Sequence, residues 1–371
     1  MKFVALRSNV KDAITIVEKS ISENTNLPIL RNIHIKAEKN IITFTTTNLE
    51  IAITNKLAGK VIEDGEITIP TNLFSGIIAN IKSDRLNFQK KENNIEITTD
   101  NYQGVLNGLA ADDFPITPKI KNTEGFIEIK NIFLKEAIQQ VIVASQYSDL
   151  RPELNSVLFN FSLESIILTS TDGFRLAEKS IPINQFIAKK KEPFKILVPL
   201  RTALEVARVI RDDVLVRIYQ DENQVLFKTE DTEIISRLID GGFPDYSAIV
   251  PHEFAAEVVV ERDELLNAIK LAGVFGMKNS EMKIALNPNH KTIEISSADQ
   301  TLGENKTVLP AKIKGEVPDV IFNWRYLSDP IKNIKGSDVF LGLQDDAAPA
   351  LVRGANDPSY FYVLKPILRS S

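Results

Sequence analysis

Cysteine is absent from the 371 residues, so neither disulfides nor thiolate metal centres can hold this chain together. Its stability must come from packed apolar surface. Histidine is scarce too: His34, His252 and His290 stand far apart in sequence, each without an acidic or histidine neighbour at ligand spacing, and a metal triad is not expected. No apolar run is long enough to cross a bilayer. In the opening MKFVALRSNVKD, Arg7 and Lys11 interrupt any signal-peptide core. These absences predict a cytoplasmic protein without a membrane partner. Also missing are a glycine-rich phosphate loop after a strand, a Walker loop and a nucleophile elbow. The acidic pairs Asp112/Asp113, Asp212/Asp213 and Asp345/Asp346 each fall where a turn is predicted, and aspartate favours turns for its own hydrogen bonding. The sequence therefore offers no catalytic residue, no metal site and no cofactor.

What is present is ordinary globular composition, 43% hydrophobic and 25% charged, in a chain long enough for two or three domains. A net charge of −5 argues against gripping nucleic acid over the whole surface. The charge is unevenly placed, however. Six windows with helical periodicity (8–22, 71–83, 131–146, 200–211, 261–276 and 323–335) hold twelve Lys and Arg against eight Asp and Glu, leaving 32 against 41 elsewhere. Arg201, Arg208 and Arg211 recur along one such segment, and Arg325, Lys332 and Lys335 along the last. If the helices share a face, that face is basic while the strand-built exterior is acidic.

The chain repeats itself. ILTSTDGFRLAEKSI at 167–181 reads as a hairpin, with Asp172-Gly173 supplying a dipeptide that tolerates positive φ. Weaker copies place Asn48 and Asp299 at the position of Asp172, 124 residues before and 127 after. Pro70 and Pro199, and Phe114-Pro115 and Phe243-Pro244, match at a common offset of 129. Agreement at separated landmarks marks a triplication.

Each third follows a β-α-β-β-β pattern twice, with linkers near 116–125 and 246–254. Helix faces are expected from Val10, Ala13, Ile14, Val17 and Ile21 behind a Ser8 cap, from Leu73, Phe74, Ile77, Ile78 and Ile81, and from Leu134, Ala137, Ile138, Val141 and Ile142. Pro330 should distort the sixth helix or move its start to Asp329. The run KKKE at 189–192 reads as a solvated loop.

Along its whole length the sequence resembles the bacterial DNA polymerase III β subunit family, the sliding clamps. The resemblance is carried by MKF at the start, LPIL at 27–30, AADDFP, STDGFRL at 170–176, GGFPDY at 241–246 and YVLKPI at 362–367. It implies an α+β fold of three similar clamp domains, at 1–120, 126–247 and 254–371, each with two helices and antiparallel sheets, and two chains paired head to tail in a ring around duplex DNA.

The basic lining would hold phosphate without reading sequence, through Arg201, Arg208, Arg211, Arg325, Lys332 and Lys335. By the same resemblance, the DNA polymerase III α subunit, the clamp loader and other proteins with a clamp-binding motif insert a peptide between the second and third domains. The matching positions are Leu154, Thr171, Gly173, Phe174, Arg175 and Leu176, then Pro244 and Ile249, then Val363, Lys365, Pro366 and Ile367. Without the resemblance, Leu154, Leu176 and Ile249 read equally well as core. The homodimer seam matches Phe275 with Gly104 and Leu106, and some relatives' basic positions in the first domain are Asn24 and Asn72 here. A peptide-binding adaptor that does not encircle DNA is the competing reading.

Overall fold

The structure, a computed structural model, describes residues 1–21, 27–121, 123–148, 150–190, 192–276 and 280–368. Asn24 and Lys191 lie outside the described residues. The first third holds β1 (Lys2–Leu6), α1 (Arg7–Val17), β2 (Asn32–Glu38), β3 (Ile41–Thr47), β4 (Ile51–Ala58), β5 (Lys60–Glu63), β6 (Gly65–Pro70), α2 (Thr71–Asn80), β7 (Arg85–Lys91), β8 (Asn94–Thr98) and β9 (Gln103–Asn107). The second holds β10 (Ile127–Lys130), α3 (Asn131–Ile142), β11 (Ser156–Phe161), β12 (Ser165–Thr171), β13 (Arg175–Pro182), β14 (Phe186–Ala188), β15 (Phe194–Pro199), α4 (Leu200–Val209), β16 (Leu215–Gln220), β17 (Gln224–Lys228) and β18 (Thr232–Arg237). The third holds β19 (Ala256–Glu261), α5 (Arg262–Phe275), β20 (Glu281–Asn287), β21 (Thr292–Asp299), β22 (Gly303–Gly315), β23 (Val320–Asn323), α6 (Trp324–Asn333), β24 (Asp338–Leu343), β25 (Ala350–Gly354) and β26 (Asp357–Leu364).

The repeat is visible at the level of single hydrogen bonds. In the turn after β3, β12 and β21, the side-chain oxygen of Asn48, Asp172 or Asp299 accepts two backbone N–H groups, two and three residues ahead. That closes an Asx turn three times. Two residues earlier, the hydroxyls of Thr46, Ser170 and Ser297 donate to the carbonyls of Val17, Val141 and Ala272. Each ties the strand to a carbonyl in the last turn of the preceding helix, and those of Val141 and Ala272 also accept the backbone N–H groups of Ala144 and Gly276. Gly173 has φ +91° and its counterpart Leu49 φ +76°, so the first turn holds a side chain in a conformation that favours glycine.

Two compact units result: residues 1–132, 186–191 and 201–238, and residues 133–185, 192–200 and 239–371. The division runs through the middle third because sheets continue past the linkers. In the first unit a five-stranded sheet has the order β5-β1-β7-β8-β9, and a nine-stranded sheet joins the first two thirds by pairing β18 with β4. In the second unit a twelve-stranded sheet joins the last two thirds by pairing β13 with β26. The strand pairs are antiparallel, as short connections allow.

Several local expectations are corrected. Ser8 does not cap α1: the helix begins at Arg7, whose N–H is taken by the Asp84 carbonyl, and Ser8 Oγ bonds to Asn9. Ile21 lies beyond the helix, which ends at Val17 and passes into a short 3-10 turn. α2 buries Phe74 and Ile78 but leaves Leu73 55% exposed, because residues 73 and 77 lie about 100° around the axis from 74 and 78. α6 runs through Pro330 from a proper cap, Asn323 Oδ1 accepting from Arg325 and Tyr326. The proline removes one N–H without ending the helix. The described residues of the 189–192 run do lie in a loop, between β14 and β15, with Lys189 and Glu192 exposed, Lys189 over the Phe126 ring and Lys190 donating to Gln220.

Candidate protein- and DNA-binding surfaces

The peptide-site candidates converge on the junction of β13 and β26. Leu176 is directly opposite Val363 in the ladder, the N–H of Lys365 donates to the Phe174 carbonyl at 3.0 Å, and that of Ile367 to the Ile321 carbonyl at 2.7 Å. The Asx turn and the segment after β26 are thereby stitched together. Pro244 and Ile249 sit on the following linker, which Tyr246 fastens: its hydroxyl lies 2.6 Å from Glu178 of β13 and 3.0 Å from Thr169 of β12. Burial raises the pKa of Glu178, and the hydrogen bond from Tyr246 only partly offsets this. Leu154, on the 3-10 turn Pro152–Leu154 before β11, is buried along with Thr171, Leu176, Val363 and Pro366. Outward apolar surface comes instead from Phe174, 64% exposed, and from Ile249.

Arg175 behaves differently from its neighbours. Its Nε donates to Asp172 at 2.9 Å, its Nη1 to Asp329 of α6 at 3.0 Å, and its guanidinium lies 3.9 Å over the Tyr326 ring. Its side chain, 9% exposed, braces the turn against α6. Sequence reading missed Asp172, Glu178, Tyr246, Tyr326 and Asp329 as members of this site. The turn motif pointed to Asp172, but nothing local points to Asp329.

The basic candidates are exposed. Arg201 and Arg208 are seven residues apart on α4, and Arg325 and Lys332 repeat that spacing on α6, so each pair shares a helix face two turns apart. Arg211 and Lys335 lie beyond the last turns of their helices, not on them. Several of these cations already have partners: Arg208 with Glu205 at 3.3 Å, Lys332 with Asp329 at 3.5 Å, Lys335 with Glu136 at 2.5 Å. Arg201 donates to the Ile21 carbonyl. In α2 the corresponding positions are Asn72 and Ala79, and the helix carries no charge.

Of the seam candidates, Phe275 is the last residue of α5 and Leu106 is buried against its own chain. A Cβ on Gly104 would meet the Tyr102 hydroxyl at 2.2 Å, so Tyr102 covers the space that a side chain there would occupy. Val105, on the opposite face of β9, is 59% exposed, whereas Ile235 at the same place in β18 is 5% exposed. Among the described residues no group of His, Cys, Asp and Glu could hold a metal ion, and no helix is long and apolar enough to cross a membrane.

Edge-joined domains, each with two helices backed by antiparallel sheet, define the DNA-clamp class of protein. The N-terminal, central and C-terminal domains of the DNA polymerase III beta subunit match residues 1–118, 128–245 and 247–368. The chain is 25% identical to the beta sliding clamp of Synechococcus elongatus, over all of both chains, and 26% identical to that of Bacillus subtilis, over 99% of each. The crystal structure of the Bacillus subtilis clamp, 26% identical, superposes over all of both chains with a TM-score of 0.95, and that of the Pseudomonas aeruginosa beta subunit, 24% identical, with 0.92. The chain belongs to the DNA polymerase III beta subunit family, the sliding clamps of DNA replication.

Proposed function

We propose that two chains join head to tail through the open edges of β9 and β22, close around duplex DNA, and carry client proteins on the groove at the β13–β26 junction. The observation that supports this is a pair of strand edges left over by the repeat. β4 and β13 each follow an Asx turn, and each takes a neighbour from the next third: Ile51 faces Ser236, and Arg175 faces Leu364. Among the described residues, their counterpart β22 pairs over 303–310 only with β21, and β9, counterpart of β18, ends its sheet. An exposed edge is a template for another strand.

The ladder registers carry over: Ile95 faces Leu106 as Val225 faces Ser236, and Ala298 faces Glu304 as Thr171 faces Leu176. The seam then sets Gly303 opposite Leu106, Glu304 opposite Val105, Asn305 opposite Gly104 and Lys306 opposite Gln103. Val105 would be covered as Ile235 is. The helices follow the same logic. α4 meets the end of the α1 segment through Arg201, and α6 meets α3 through Gln140 Nε2 on the Asn333 carbonyl at 2.9 Å. α2, with Leu73 and Ile77 outward, would meet Leu271, Val274 and Phe275 of a second copy's α5.

Arg201, Arg208, Arg325 and Lys332 would face phosphate, with Arg211 and Lys335 at the helix ends. Contacts of this kind are independent of sequence and screened by salt, which suits sliding in the cytoplasm. The protein needs no catalytic group of its own. Clients would be the polymerase III α subunit, the clamp loader and others with a clamp-binding motif, seating Leu or Phe anchors beside Phe174 and Ile249.

The test is retention on DNA. Loaded by a clamp loader, the protein should stay with nicked circular plasmid through gel filtration and be released when the plasmid is linearised. The double variant Arg201→Glu, Arg208→Glu should load poorly. Retention that is indifferent to linearisation and to these charges would favour a non-encircling adaptor.

A further inference from the structure

Four charged groups form one line in the second unit. Lys332 Nζ lies 3.5 Å from Asp329 Oδ1, Asp329 Oδ2 accepts from Arg175 Nη1 at 3.0 Å, and Arg175 Nε donates to Asp172 Oδ2 at 2.9 Å. Asp172 Oδ1 in turn holds the N–H groups of Phe174 and Arg175. The line runs from an exposed lysine on α6 to the turn that presents Phe174. Two aspartates, one arginine and one lysine sum to zero charge only while Lys332 is counted.

The inner members are protected from water: the side chains of Arg175 and Asp172 are 9% and 5% exposed. Their mutual interactions are therefore screened far less than those of surface pairs. Asp329 is the shared element, one oxygen on the buried guanidinium and the other toward the surface lysine. The corresponding turn in the first third has Ile51 at the position of Arg175 and lacks this connection.

We infer that Arg175 is a positioning residue that couples the peptide groove to the DNA-facing side of α6 through Asp329 and Lys332. This rests on the reading of both surfaces given above. When phosphate draws Lys332 away, Asp329 loses one of its two cations and leans more fully on Arg175. The guanidinium is then shared less evenly with Asp172, and the 172–175 turn is held less firmly. A looser turn is less preorganised for a ligand, so DNA and peptide should weaken each other's binding, by equal factors as linkage demands.

The experiment uses the full chain and a fluorescein-labelled pentapeptide containing leucine and phenylalanine, titrated by anisotropy at low salt with and without a saturating short duplex. Peptide affinity should fall about two- to five-fold when duplex is bound, the scale of a single surface ion pair such as that of Lys332 with Asp329. Lys332→Gln should show the weakened affinity without duplex, and Asp329→Asn should bind peptide equally with and without it. Thermal melts check that both variants are folded. Equal peptide affinity with and without duplex in the unaltered protein, both ligands being bound, would overturn the coupling and leave the proposed function standing. Failure of the peptide to bind at all would overturn the groove and the coupling together.

Discussion

The two internal junctions share an architecture and differ in what lies beneath their linkers, although the β18–β4 ladder also carries Asn55 on Thr232 and Lys56 on Glu233. Where β18 meets β4, the space beneath the first linker is filled by Ala52, Ile120, Tyr219, Leu226 and Ile235, with Phe126 packed against them. Where β13 meets β26, charge and hydroxyl groups do the joining: Arg175 between two aspartates, Lys179 donating to Ser359 at 2.8 Å and 3.7 Å from Glu136, and Tyr246 on Glu178. The first junction is closed. A cavity of about 70 Å³ remains there, bordered by Leu49, Pro115 and Ile116, and Leu49 stands at the position where Gly173 leaves open space in the second. Apolar packing gains by excluding everything else, whereas a linker tied at single hydrogen bonds can leave apolar side chains such as Phe174 and Ile249 free for a ligand.

That contrast is sharpest at Arg175. Replacing it with alanine leaves Asp172 buried without a cation and Asp329 with Lys332 alone, and should cost about 3–5 kcal/mol, the range for breaking one side of a buried ion pair. Chemical denaturation should show this in the second unit, and a loss under about 1 kcal/mol, typical of surface pairs, would mean that the brace is solvated. At the other junction Ile235→Ala removes packing alone and should cost about 2–4 kcal/mol. Its effect should persist in high salt, while that of Arg175→Ala should respond to salt only weakly because the site is dry. An Ile235→Ala effect that vanished would show that the apolar junction is not what fastens β18 to β4.

Much of this was legible in the chain. The three Asx turns follow from Thr-Thr-Asn, Ser-Thr-Asp and Ser-Ala-Asp spaced 124 and 127 residues apart, and the buried faces of α1 and α3 follow from 3.6-residue periodicity. The convergence of Thr171, Gly173, Phe174 and Leu176 with Val363 and Lys365 was legible only through resemblance, since the pairing of β13 with β26 spans nearly half the chain. Arg175 is named through the resemblance alone; its link to Asp329 spans 154 positions, where no local pattern can point. Leu73 was assigned inward because apolar residues at 73, 74, 77 and 78 fit a helix buried on a broad face equally well. Arg211 and Lys335 were set on helices because periodicity locates a helix better than its last turn.

The leftover edges make the account's central claim directly measurable, and the absence of native cysteine removes any background. A Val105→Cys, Glu304→Cys double variant places two thiols opposite each other across the deduced seam, at the Cα spacing of about 4.5–5.5 Å that antiparallel partners have and a disulfide accepts. Mild oxidation should convert the protein to a covalent dimer, while Val105→Cys with Lys306→Cys, two positions out of register, should link poorly. A protein that stays monomeric on oxidation, or links as readily out of register as in, would contradict closure through β9 and β22.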